Sequence, residues 1–92
     1  MHLNELAKNM RVVGDEHRLS ILCLLMKQGE ACVSDIAHDL GMSVATTSHH
    51  LQVLAEEHLV LATREGKRIC YTLRKTPLVR GLKKFICAHA EF

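Results

Sequence analysis

Val33-Ser34-Asp35-Ile36-Ala37-His38-Asp39-Leu40-Gly41-Met42-Ser43-Val44-Ala45-Thr46-Thr47-Ser48-His49-His50-Leu51 is the stretch whose reading decides the fold. Ile36, Ala37 and Leu40 recur at helical spacing, so Val33 to Leu40 reads as a short helix with one inward face. Gly41 supplies a turn, and the short oxygen-bearing side chain of Ser43 suits a helix N-cap. Beyond it a longer helix runs to about His58. At about 100° per residue, Val44, Thr47, Ser48, Leu51, Leu54 and Ala55 gather on a packing side. Ala45, Thr46, His49, Gln52 and Val53 gather opposite, with His50 at the flank.

Towards the N-terminus, Leu3, Leu6, Ala7, Met10 and Val13 recur at helical spacing over residues 2 to 13. Gly14 ends that helix and Asp15 caps the next. From Asp15 to Gln28 the stripe of Leu19, Leu22, Cys23 and Met26 is widened by Ile21, Leu24 and Leu25, the pattern of a buried central helix closed by Gly29. Towards the C-terminus the period changes to that of strands. Leu59 to Thr63 and Ile69 to Leu73 read as two strands joined by the polar segment Arg64-Glu65-Gly66-Lys67-Arg68. Pro77 suits the first turn of a last helix marked by Leu78, Leu82, Phe85, Ile86 and His89. Four helices, a β-hairpin and a final helix make a mainly α (α+β) chain in the layout of a winged helix-turn-helix, with residues 1–92 as one domain.

Composition sets the bounds. Of 92 residues 48% are apolar, yet the aromatics are only Tyr71, Phe85 and Phe92, so the core is built of aliphatic side chains, which suits packed helices. A chain this short buries a modest core alone, and pairing adds to it, so a homodimer is expected. No segment reaches the roughly 18 consecutive apolar residues of a membrane span, and no export signal is visible, which predicts a cytoplasmic protein. Cys23, Cys32, Cys70 and Cys87 show no CxxC spacing. In a reducing compartment they are expected as free thiols, metal ligands or redox switches rather than structural disulfides. No glycine-rich phosphate loop or nucleophile motif argues for an enzyme.

The net charge of +2 carries little information; its distribution carries more. The outer side of the Ser43–His58 helix is small, polar and free of acidic residues until Glu56. Short side chains permit close approach to a major groove, Gln and His reach base edges, and Ser and Thr hold phosphates. The candidate DNA-binding positions are Ser43, Ala45, Thr46, Thr47, Ser48, His49, His50 and Gln52 on that helix. Arg64, Lys67 and Arg68 on the hairpin suit the backbone or an adjacent minor groove. Either feature alone is an ordinary solvated surface; both at this separation favour double-stranded DNA.

Asp15-Glu16-His17-Arg18-Leu19-Ser20-Ile21-Leu22, Glu30-Ala31-Cys32-Val33-Ser34-Asp35-Ile36-Ala37, Leu40-Gly41, Ser48-His49-His50-Leu51 and Arg64-Glu65-Gly66-Lys67-Arg68-Ile69-Cys70-Tyr71 together resemble the ArsR/SmtB family of metal- and stress-responsive repressors. The resemblance spans nearly the whole chain. It implies a homodimer paired through the first and last helices, binding a two-fold operator with half-sites roughly 34 Å apart. It also implies release from DNA by a metal ion, a metalloid, or an oxidant or reactive sulfur species.

The sensing residues depart from the family's patterns. Cys32 matches the first thiolate of a site at the start of the third helix, but Ser34 stands where the second belongs, which leaves the ligand set incomplete. A site on the last helix would need ligands at Lys75 and Pro77, and neither binds metal. Cys23 and Cys87 resemble a dithiol switch between the second and last helices, although Cys87 comes about one turn early. Cys23 reads more readily as a small core residue than as a sensor, and Cys70 on its strand as packing. The inducer is a thiophilic ion, a metalloid, a thiol-modifying signal or none. A winged-helix module that binds protein instead of DNA is the competing function.

Overall fold

The computed structural model describes residues 1–91. Its elements run α1 (Leu3–Val13), α2 (Glu16–Gln28), β1 (Glu30–Cys32), α3 (Val33–Leu40), α4 (Val44–Glu56), β2 (Val60–Glu65), β3 (Arg68–Leu73) and α5 (Pro77–His89). The helices fall where the periodicity puts them, and their ends have local causes. Asp15 accepts from the Arg18 N–H at the start of α2, Ser43 from the Thr46 N–H at α4, and Thr76 from the Val79 N–H at α5. Each satisfies a donor that the first helical turn cannot pair internally.

Two helix ends share one geometry with different residues. Gly41 closes α3 at φ +66°, with the Met42 N–H bonded to the Ala37 carbonyl and the Gly41 N–H to the His38 carbonyl. His58 follows α4 at φ +58°, with the Leu59 N–H on the Leu54 carbonyl and the His58 N–H on the Ala55 carbonyl. Both are left-handed caps, and only the first has the residue that adopts that conformation without steric cost.

The sheet has three antiparallel strands in the order β1-β3-β2. β1 is an addition to the expected hairpin; three residues are too few to carry a period, and they join because their ladder partner already exists. Glu30, Ala31 and Cys32 lie opposite Thr72, Tyr71 and Cys70. The hairpin is also longer than its sequence pattern indicates. Val60 to Glu65 pairs with Arg68 to Leu73, leaving Gly66-Lys67 as a two-residue turn with Gly66 at φ +64°. A positive φ at the first turn residue matches the right-handed twist of the strands.

The core consists of Ile21, Leu22 and Leu25 of α2, Ile36 of α3, Leu51 and Leu54 of α4, with Leu59, Val60, Tyr71 and Val79 around them. The central position of α2 agrees with its broad apolar circumference. Two ties cross the body. The Arg18 guanidinium donates to the Val12 carbonyl at the end of α1, a favourable place for a cation. Lys8 pairs with Glu57 at 3.1 Å, fastening α1 to the end of α4. By contrast, Leu3 is 82% and Phe85 65% exposed, and Met10 is exposed as well. The outer helices thus leave apolar side chains uncovered within one protomer. No helix among the described residues is long and apolar enough to cross a membrane.

Candidate nucleic-acid interface and thiol sites

On α4 the helical phase divides the candidate positions. Ser43, Ala45, Thr46, His49 and Gln52 are exposed, and Ser48 and His50 are half-buried. Thr47 is fully buried, with its hydroxyl donating to the Ser43 carbonyl at 2.8 Å. That corrects its inclusion among the DNA-binding positions: Thr47 holds the first turn of the helix and has no surface to offer. Val44, expected on the packing side, is exposed at 56% because the first turn projects beyond the body. Gln52 donates to the Ser48 hydroxyl at 3.3 Å, so these two present a joined polar edge.

His50 turns away from the open face. Its ring stands 5.6 Å from that of His17, and its Nδ1 lies 3.4 Å from the Arg18 guanidinium. Burial pushes the imidazole below its ordinary pKa, and Arg18 adds to the effect against the pull of Asp15. Asp15 itself is held low by the hydrogen bond it accepts from the Arg18 N–H. Asp15, His17 and His50 thus form a cluster that sequence spacing cannot reveal, since His50 comes from another helix. The Arg18 charge beside it opposes a metal ion there.

On the hairpin, Arg64 curls back, its Nε donating to the Gly66 carbonyl at 3.3 Å. Arg68 pairs with Asp35 of α3, with both side chains more than half exposed. The pair ties wing to helix-turn-helix, a contribution near zero to 1 kcal/mol for so open an ion pair. A crevice lined by Ser34, Val44, Ser48, Lys67 and Ile69 separates wing from recognition helix.

The cysteines differ most from expectation. Cys32 and Cys70 are disulfide-bonded, directly opposite each other on β1 and β3. The bond departs from the expectation of free thiols, ligands or switches rather than structural disulfides, and it makes Cys70 more than packing. The missing signal was β1, because without that strand nothing in the spacing brings residues 38 apart together. The Cys32 sulfur also lies 3.9 Å from a carboxylate oxygen of Glu65. Cys23 and Cys87 are free; Cys23 is buried and Cys87 exposed, as their helical phases require. Burial pushes the Cys23 thiol up, and Cys87 is near enough for its charge to raise it further. Cys23 opens on a groove lined by Leu19, Leu24, Leu40 and Ala90.

A helix-turn-helix whose second helix is exposed at its N-terminal end, flanked by a two-stranded hairpin, defines a winged helix-turn-helix protein. Residues 15–61 match the bacterial regulatory protein family arsR, and the chain belongs to that family. It is 38% identical over 69 residues to the cadmium resistance transcriptional regulatory protein CadC of Listeria innocua, covering 75% of this chain and 58% of that protein. The chain therefore spans between a half and two thirds of the length of the cadmium-resistance regulators it matches. Reduced HlyU from Vibrio cholerae superposes with a TM-score of 0.85 at 25% identity, covering 96% of this chain and 92% of that one. The homodimeric winged helix-turn-helix DNA-binding domain of a Mycobacterium bovis protein superposes at 0.82 with 35% identity, covering 97% and 84%. The family is one of regulatory proteins, not of enzymes.

Proposed function

We propose that the chain binds double-stranded operator DNA as a homodimer in the cytoplasm, represses transcription, and lets go when a thiophilic ion, metalloid or thiol-modifying species engages its cysteines. The observation that carries the reading is the exposed, acid-free N-terminal half of α4 beside a basic wing. Thr46, His49 and Gln52 are the base-reading positions, Ser43 and Ala45 allow close approach, and Arg64, Lys67 and Arg68 hold the backbone. The exposed Leu3, Met10 and Phe85 supply the apolar surface for pairing through α1 and α5. The resemblance to regulators named for cadmium resistance supports a soft ion as inducer. Cys23 and Cys87, both unbridged, supply the thiols for a thiol-modifying signal at that second pair.

The test is fluorescence anisotropy of the reduced protein with its own upstream DNA against a scrambled duplex at fixed salt. Preferential binding that weakens about tenfold in Thr46→Ala and His49→Ala supports the reading. Absence of any preference on this and other candidate operators overturns it in favour of a protein-binding module.

A further inference from the structure

We propose that Cys32, Cys70 and Glu65 form a binding site for a soft divalent cation at the joint between α3 and the wing, available when the Cys32–Cys70 bond is open. The inference deepens the proposed function and rests on it only for its consequence, not for the site. The sequence leaves Cys32 without a second thiolate, and the β1–β3 register supplies one from the wing. One donor atom from each of the three residues lies within 4.8 Å of the other two.

The spacing suits a tetrahedral ion. Arms of about 2.3 Å to sulfur and about 2.1 Å to oxygen span an edge of roughly 3.6 Å, close to the 3.9 Å between the Cys32 sulfur and the Glu65 oxygen. Two sulfurs on such an ion stand roughly 3.8 Å apart, so a bonded pair cannot chelate it. Closed disulfide and bound cation are therefore alternatives at one place. A dithiol reductant opens the bond by giving two electrons and two protons to the sulfurs and ends as a disulfide itself. The cation then displaces the two protons as the thiolates bind. Glu65 is exposed and Cys32 half-buried, which gives the ion a way in, while Cys70 is fully buried and anchors the inner side. Two thiolates and one carboxylate select a thiophilic ion over magnesium or calcium. Solvent completes the fourth position.

The site has a mechanical setting. Cys32 is the N-cap residue of α3, and Arg68, two residues before Cys70, already pairs with Asp35 on the first turn of that helix. An ion held here grips the helix-turn-helix and the wing together.

The experiment is anaerobic titration of the prereduced full chain with cadmium, read by sulfur-to-cadmium charge-transfer absorption without DNA present. The expected result is one ion per protomer, abolished by prior oxidation with a small-molecule disulfide. Uptake is expected to weaken at least about tenfold in Cys70→Ser and in Glu65→Gln, and to persist in Cys23→Ser/Cys87→Ser. Glu65 is exposed, so its substitution keeps the test open should Cys70→Ser fail to fold. Uptake indifferent to both Cys70 and Glu65, or following Cys23 and Cys87 instead, overturns the site. Cadmium uptake as expected in a protein that ignores operator DNA upholds the site and removes only the repressor reading.

Discussion

Thr46 and Thr47 are neighbours with the same chemistry and opposite fates, and the difference is one step of 100° around α4. Thr46→Ala is expected to weaken operator binding with the unfolding midpoint unchanged. Thr47→Ala is expected to cost about 1–2 kcal/mol of stability through a lost buried hydrogen bond and methyl, measured by denaturant unfolding. His50 offers a pH test. Its folded pKa lies below the unfolded value, so the unfolded chain binds the proton more readily. Its stability contribution is complete above the ordinary imidazole value near 6.5 and declines as pH falls through that value. Unfolding midpoints followed across that window should fall less steeply in His50→Gln than in the parent; equal slopes would exclude His50 as the source. Residue roles set by helical phase, such as the exposure of Thr46, His49 and Cys87, are legible in the sequence. The orientation of His50 is not, because Asp15, His17 and Arg18 arrive from α2.

The helix caps show what an element's end conditions contribute. Gly41→Ala places a side chain at φ +66° and is expected to destabilise by about 1–2 kcal/mol, whereas His58→Gly relieves the same conformation and is expected to stabilise by about 0.5–1 kcal/mol. Thermal or denaturant unfolding of the two variants tests both signs. Arg68→Ala on the wing should weaken binding to all duplexes alike and reduce the slope of affinity against salt by about 1. The helices declare themselves through apolar period and capping residues. The strands are less legible: β2 and β3 extend two residues and one residue beyond their apolar patterns, to Glu65 and from Arg68, because pairing across a tight turn outweighs side-chain alternation. β1 has no independent signal, and with it went the Cys32–Cys70 pairing, the part of the candidate site least visible beforehand.

One protomer leaves Leu3, Met10 and Phe85 in solvent on its terminal helices. Phe85→Glu is expected to shift the sedimentation of the protein towards monomer and to weaken operator binding, since a half-site alone keeps only one reading head. Arg18 links the two helices behind these surfaces, touching the end of α1 with one nitrogen and His50 of α4 with another. The Cys32–Cys70 bond has its own reach along the chain. Cys32 is the cap of α3 and Cys70 lies within β3, so the segment between them contains α3, α4, β2 and the hairpin turn. Every residue proposed to touch DNA is enclosed in a covalent ring, while α1, α2 and α5 hang outside it. A protease that cuts once at the Gly66-Lys67 turn would leave the closed molecule in one piece, and the two fragments would separate on a gel only after a reductant was added.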